Sequence, residues 1–276
     1  MPSIDAGRRR LRLSDAHISA LGLLVAEEEL PPTLSQPLTE LRSAGIVHDE
    51  GTIDGELYPL ISTLMSPRVI VRLEISGPQG TVSSGVVVGD QFAFSHEGWP
   101  DEEESEYAPV EASMLVWELA RMVDLHTEAC EFPDADEQIS SMMGPLDALL
   151  ERFETKAAHE REDYADVAAA CGAPVRLAEI LAQLNAMWRM TVVWPGDQTH
   201  GDASPHIAAL AVWDCGIEGY WVRTAPAEPI AEGAINQHSE LCVRRTSAKG
   251  LWRAITDLLP DTDQLLVADG SAAQQR

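Results

Sequence analysis

Lysine is nearly missing from this chain, standing only at positions 156 and 249, so arginine supplies almost all of the positive charge. Cations are scarce altogether, since 19 Lys and Arg face 45 Asp and Glu for a formal charge of -26 at pH 7. Such a surface repels nucleic-acid phosphates and anionic lipid, so neither is an expected partner. Membrane insertion is not expected either. No run approaches the roughly 20 apolar residues a spanning helix needs, and the tight apolar stretch from Leu21 to Val25 is closed by Glu27, Glu28 and Glu29. Arg8, Arg9 and Arg10 could open a signal peptide, but Asp15, His17 and the Glu run leave no apolar segment behind them, which points to a cytoplasmic protein. Closely spaced cysteines are lacking too. Cys130, Cys171, Cys215 and Cys242 lie far apart in a chain long enough to bury its own core, so buried free thiols are expected.

The motifs of cofactor and metal chemistry are also absent: no phosphate loop, no GxGxxG turn after a strand, no HExxH helix. Thr81-Val82-Ser83-Ser84-Gly85 falls short of a nucleophile elbow, because the GxSxG spacing fails and no helix follows. His126 and Cys130 could share a helix face, yet they are two ligands where a structural zinc wants four. His200 and His206 flank Asp202 in a polar loop, and the acidic run from Asp101 to Glu106 lacks the spacing and glycine of a calcium loop. Leu38 to Ile46 followed by Gly51-Thr52-Ile53 has the outline of a winged helix. Its helix offers Glu40 and Arg42, however, and its flanks add Asp49, Glu50 and Asp54, the wrong charges for phosphate contact. No catalytic residue, no metal site and no cofactor is expected, and the chain does not read as an enzyme.

What is there is the make-up of a folded protein. Hydrophobic residues are 45% and charged residues 23%, near globular averages, and 276 residues allow one large domain or two similar halves. After a patternless basic arm at 1–10, a helix is predicted from its N-cap Ser14 up to Pro31-Pro32, a second from Ser35 to Gly45, and a third through Leu57, Leu60, Ile61 and Leu64. The period then changes from helical to two. Val69, Val71, Leu73 and Ile75 alternate with Ile70, Arg72 and Glu74, and strands at 86–88, 91–94 and 107–112 complete an antiparallel meander before a helix around Trp117 and Leu119. A linker over 133–141 leads to a long helix opened by Pro145.

The second part repeats that order. A helix with Leu177, Ile180, Leu181 and Leu184 precedes strands at 188–194, 207–214, 220–223 and 241–246, and a closing helix carries Leu251, Trp252 and Ile255. Leu57, Leu60, Ile61 and Leu64 fall on Leu177, Ile180, Leu181 and Leu184 at one constant separation, and Trp117 corresponds to Trp252. The expected fold is therefore α+β with two pseudo-twofold-related halves, each an antiparallel meander sheet with flanking helices. Its divisions are a mobile basic arm at 1–10, an N-terminal half at 11–132, a linker and long helix at 133–173, a C-terminal half at 174–260 and a flexible tail at 261–276. Each sheet has a second face that must be covered by the other half, by other helices or by a bound protein.

Four stretches carry a family resemblance: Leu11 to Leu24 followed by Leu34, Leu38 to Leu41 and Ala44-Gly45-Ile46-Val47; Leu57 through Pro67 into Val69 to Ile75; Asp214 with Gly219-Tyr220-Trp221-Val222; and the amphipathic Ala248 to Leu259. Over roughly 11–260 the chain resembles the EspG family of ESX (type VII) secretion-associated proteins of mycobacteria and related actinobacteria. The resemblance implies a cytosolic, non-enzymatic chaperone that grips the apolar tip of a helical secreted client, PE/PPE-like or another ESX substrate, and keeps it soluble for export. Aromatics near the meanders are the candidate anchors: Phe92, Phe94, Trp213, Tyr220 and Trp221, each with core packing as its plainer role. Tyr220 and Trp221 are adjacent on one strand and must point to opposite faces, so one of them is the best surface candidate. A small-molecule-binding or hydrolytic α+β domain with a site between sheet and long helix is the alternative. An acidic mimic of nucleic acid is a third reading.

Overall fold

A computed structural model describes the chain except for residues 6, 9, 49, 79, 100–101, 127–136, 156–162, 197–203, 225–227, 229, 232 and 262–276. Cys130, His200, Asp202, the start of the acidic run and nearly all of the expected tail therefore lie outside the described residues.

The fold is α+β, and its strands all belong to one antiparallel sheet. In the first part of the chain, β1 (Ser3–Asp5) and β2 (Arg10–Ser14) precede helices α1 (Asp15–Val25), α2 (Ser35–Ser43) and α3 (Tyr58–Met65). The meander β3 (Val69–Gly77), β4 (Gly80–Val88), β5 (Ala93–Glu97) and β6 (Glu104–Val110) follows, then α4 (Leu115–Met122). In the second part come β7 (Gln138–Met142), α5 (Met143–Thr155), α6 (Tyr164–Cys171) and α7 (Val175–Leu181). A second meander, β8 (Ala186–Trp194), β9 (His206–Asp214), β10 (Tyr220–Arg223) and β11 (Glu240–Thr246), leads to α8 (Ala248–Leu258). The strand order is β1-β2-β6-β5-β4-β3-β8-β9-β10-β11-β7. Outward from the central β3–β8 pair, the same succession of meander strands and then the opening strand runs in both directions. The two meanders are thus not separate sheets: Ile70 pairs with Val193 and Ser76 with Met187 along a joint edge.

Residues 1–10, expected as a mobile arm, instead begin with β1 paired on β2. Period-two alternation explains it. Leu11 and Leu13 are buried, while Arg10 and Arg12 turn outward to ion pairs with Glu106 and Glu102. Part of the acidic run is accordingly strand β6, held against those arginines. The linker expected at 133–141 likewise contains most of an edge strand, β7, whose Ile139 is buried against β11.

Helix ends follow their caps. Ser14 accepts from the His17 backbone N–H at 3.3 Å while His17 Nδ1 accepts from the Ser14 N–H at 3.0 Å, so α1 opens with a capping box in which histidine fills the usual acidic place. It ends at Val25, short of Pro31-Pro32. Gly45, at φ 73°, stops α2 in the left-handed region.

Three apolar clusters fix the layers. Helices α4 and α8 cover one face of the central strands, packing Leu119, Leu251 and Ile255 onto Val71, Leu73, Trp188, Met190 and Val212. On the opposite face the described helices stand toward the two ends. Helices α1–α3 pack on Leu11, Leu13, Phe94 and Tyr107 at one end. At the other, α5–α7 pack on Trp213, Trp221, Leu241 and Val243. Trp117 and Trp252, from the corresponding helices of the two parts, meet edge-to-face between α4 and α8 with ring centroids 4.5 Å apart.

Candidate functional site

Between the two helix groups no described helix lies on the sheet, and burial along single strands shows it. On β3, Val69, Val71 and Leu73 are buried, whereas their alternating neighbours Ile70 and Arg72 are exposed and Glu74 half-buried. On β8, Trp188, Met190 and Val192 are buried while Arg189, Thr191 and Val193 are not. Side chains alternate faces along a strand, so the uncovered residues share the side on which α1–α3 and α5–α7 stand. They form the floor of a groove with helices for walls. Toward the N-terminal side the groove holds a concavity of about 680 Å³, reaching from Ile70, Arg72 and Gly85 to His96 and Trp99 and edged by Asp15 and Leu64 of the helices.

Strand register sorts the floor into rows. Val87, Ile70, Val193 and Ile207 are cross-strand neighbours and make an apolar row. The next row reads Gly85, Arg72, Thr191 and Ala209, and the third Ser83, Glu74, Arg189, Ala211 and Arg223. Small residues keep the floor low. Gly85 could be nothing else, because a Cβ there would sit 2.0 Å from the Val71 carbonyl oxygen. His96 packs on Tyr107 at the groove's edge, with the rings tilted by 48° and their centroids 5.2 Å apart. Burial lowers the His96 pKa against the opposing pull of Asp15 and Glu97, and burial pushes the Tyr107 phenol up.

The aromatic anchors expected from sequence are mostly elsewhere. Phe94, Trp213, Tyr220 and Trp221 are all buried, so each takes its plainer role in the core, and the expectation that one of Tyr220 and Trp221 reaches the surface is corrected. Tyr220 and Trp221 do point to opposite faces, but both faces are covered there: Tyr220 packs under α4 and α8, and Trp221 under α5–α7. Phe92 is exposed on the β4–β5 turn. Ile70 and Trp99, exposed by 40% and 41%, are the larger apolar side chains the groove does offer. The signal for Ile70 was the mixed character of alternate positions on β3 and β8, opposite an unbroken apolar set; Trp99, in the β5–β6 connection, had none.

The space between α5 and the sheet, where the alternative reading put a ligand site, is filled by Ile139, Leu146, Leu149, Trp213 and Trp221. Among the described residues, no three His, Cys, Asp or Glu side chains converge as metal ligands. His126 lies with Nδ1 3.1 Å from the Tyr220 hydroxyl and 2.9 Å from the Asp124 carbonyl oxygen. Cys171, Cys215 and Cys242 are free. Cys215 is buried, and that burial, with Asp214 and Glu218 nearby, raises its thiol to about 12, far from a reactive thiolate. Cys171 and Cys242 are half-buried, more open than expected. No described helix is long and apolar enough to cross a membrane.

No protein-family model matches the chain, and no curated protein does. Its fold is similar to a solved structure of the Mycobacterium tuberculosis type VII secretion system chaperone EspG5 in complex with the PE25-PPE41 dimer, with a TM-score of 0.54 and 13% sequence identity over 91% of this chain and 97% of that one. The likeness is one of fold, and it is the fold that the resemblance in sequence implied.

Proposed function

We propose that this protein is a non-enzymatic, cytosolic chaperone that holds a helical type VII secretion substrate by its apolar tip and keeps it soluble for export. The observation that carries this reading is the bare sheet floor between two helix groups, with Val87, Ile70 and Val193 in one apolar row, in a chain with the EspG5 fold. Size agrees. The floor spans β4, β3, β8 and β9, three strand spacings or roughly 14 Å, wide enough for one helix end of about 10–12 Å diameter. An exposed apolar tip is an aggregation hazard, and covering it needs complementarity alone. The solved EspG5 complex holds a PE25-PPE41 dimer, which supports a PE/PPE-like helical pair as the class of client. The two sister halves inferred from sequence belong to the same proposal, and superposing 57–125 on 177–259 tests them.

Co-expression with the helical secretion substrates encoded in the same genome tests the function. A client should co-elute with this chain in gel filtration and precipitate without it. Ile70→Glu or Val193→Glu should abolish co-elution while leaving the far-ultraviolet spectrum unchanged. If every such substrate stays soluble and separate, the reading is wrong.

A further inference from the structure

The third row of the floor differs from the apolar row in a way that bears on the client's chemistry. Arg189 and Arg223 each pair with Ala211 from either side, so they stand two strands apart on the same face, with backbones roughly 10 Å from one another. Only a methyl group lies between them. Two acids beside them, Glu228 and Glu74, are already engaged. Glu228 accepts from Arg189 Nη2 with one oxygen and from the Ile230 N–H, at 3.1 Å, with the other. Glu74 is taken by Arg72 at 2.7 Å. Among the described residues no carboxylate ion-pairs with Arg223, and its buried Nε lacks a hydrogen-bond partner. Burial and then the neighbouring Arg189 lower the Arg223 pKa, with exposed Asp147 of α5 pulling weakly the other way. Of the two guanidinium groups, only that of Arg189 holds a carboxylate among the described residues, inside a chain whose net charge is -26.

We propose that Arg189 and Arg223 form a receptor for an acidic side chain, Asp or Glu, on the client's helical tip, whose apolar groups lie on Val87, Ile70 and Val193. The proposal rests on the docking reading above and adds orientation and selectivity to it. Guanidinium forks take a carboxylate in two parallel hydrogen bonds, which fixes direction as well as affinity. A tip without an acid leaves Arg223 desolvated and unpaired, and the acidic surface as a whole discourages negative partners that do not reach this spot.

The test is to pan a phage-displayed library of helical hairpins with randomised tips against the full-length chain. Recovered tips should combine apolar residues with one Asp or Glu, and changing that acid to its amide should weaken binding about tenfold, the scale of one charge-assisted hydrogen bond. Arg223→Gln should erase the acidic preference and keep the apolar one, and Arg223→Lys should retain part of it. If the wild type selects apolar tips without an acid, or folded Arg223→Gln still selects acidic ones, the arginine receptor is overturned and the docking reading stands. Should Arg223→Gln not fold, Glu228→Gln decides, since it frees Arg189 and must strengthen acidic tips; unchanged selection overturns the proposal. Recovery of no hairpin at all overturns the docking reading and this proposal with it.

Discussion

The two faces of the central strands are built from the same backbone and do opposite things. Under α4 and α8, β3 and β8 present Val71, Leu73, Trp188, Met190 and Val192, all buried. One residue along, they present Ile70, Arg72, Arg189, Thr191 and Val193, none of them buried. The covered face holds the two meanders in register and supplies the apolar burial that stabilises the sheet. Because that face suffices, the other is free to carry charge, small residues and an apolar row that no described helix of this chain covers. Stability and client binding should therefore separate cleanly between adjacent residues.

The largest effect should come from the covered face. Met190 is fully buried, and Met190→Ala should cost about 3 kcal/mol, the usual range for emptying a packed methionine site. Its neighbour Thr191, across the sheet, makes only a 3.4 Å contact with Arg189 Nε, and Thr191→Ala should stay within about 0.5 kcal/mol. Urea unfolding of both variants checks the contrast. Equal losses would show that the bare face is as structural as the covered one.

Much of that covered face was legible in the sequence. Val69 to Ile75, Trp188 to Trp194 and Tyr220 to Arg223 alternate or run apolar long enough to announce strands, and α3, α7 and α8 carry helical spacing between clear stops. β1 and β2 were hidden because their partners are distant: Arg10 finds Glu106 and Arg12 finds Glu102 only after the meander has formed. β7 reads as polar linker because an edge strand with one buried residue, Ile139, has almost no pattern. The groove was less legible still. A floor exists where helices do not lie, and that depends on α1–α3 and α5–α7 gathering at the two ends, a property of packing that no local pattern encodes. Aromatics drew attention to Tyr220 and Trp221, which the sheet buries on both sides, while Gly85, Ala209 and Ala211 gave no chemical signal.

A smaller effect belongs to the outer side of the covering helices. Trp117 is 60% exposed, yet its ring stands edge-to-face with Trp252 at 4.5 Å. In a double-mutant cycle, Trp117→Ala and Trp252→Ala should show a coupling of about 1 kcal/mol, beyond what each loses in burial. Coupling near zero would mean that α4 and α8 are held by Leu119, Leu251 and Ile255 alone, and that the covered face does not depend on the join between its two helices.

The smallest effect is a pH dependence, and it comes from the edge of the bare face. Burial lowers the His96 pKa below its ordinary 6.5, with Asp15 and Glu97 offsetting only part of that. Below about pH 6.5 the unfolded chain therefore binds a proton that the folded chain resists, so stability should fall as pH drops through that point. Glu40, Glu104 and Glu137 have lowered pKa values, and the stability they contribute is present above their ordinary 4.5 and lost as pH falls below it, a separate and more acidic window. Melting temperatures measured from pH 7 to pH 5 should decline gently in the wild type and less in His96→Gln, which carries no titrating group. An identical decline in both would remove His96 from the account and leave the groove's edge electrically silent over that range.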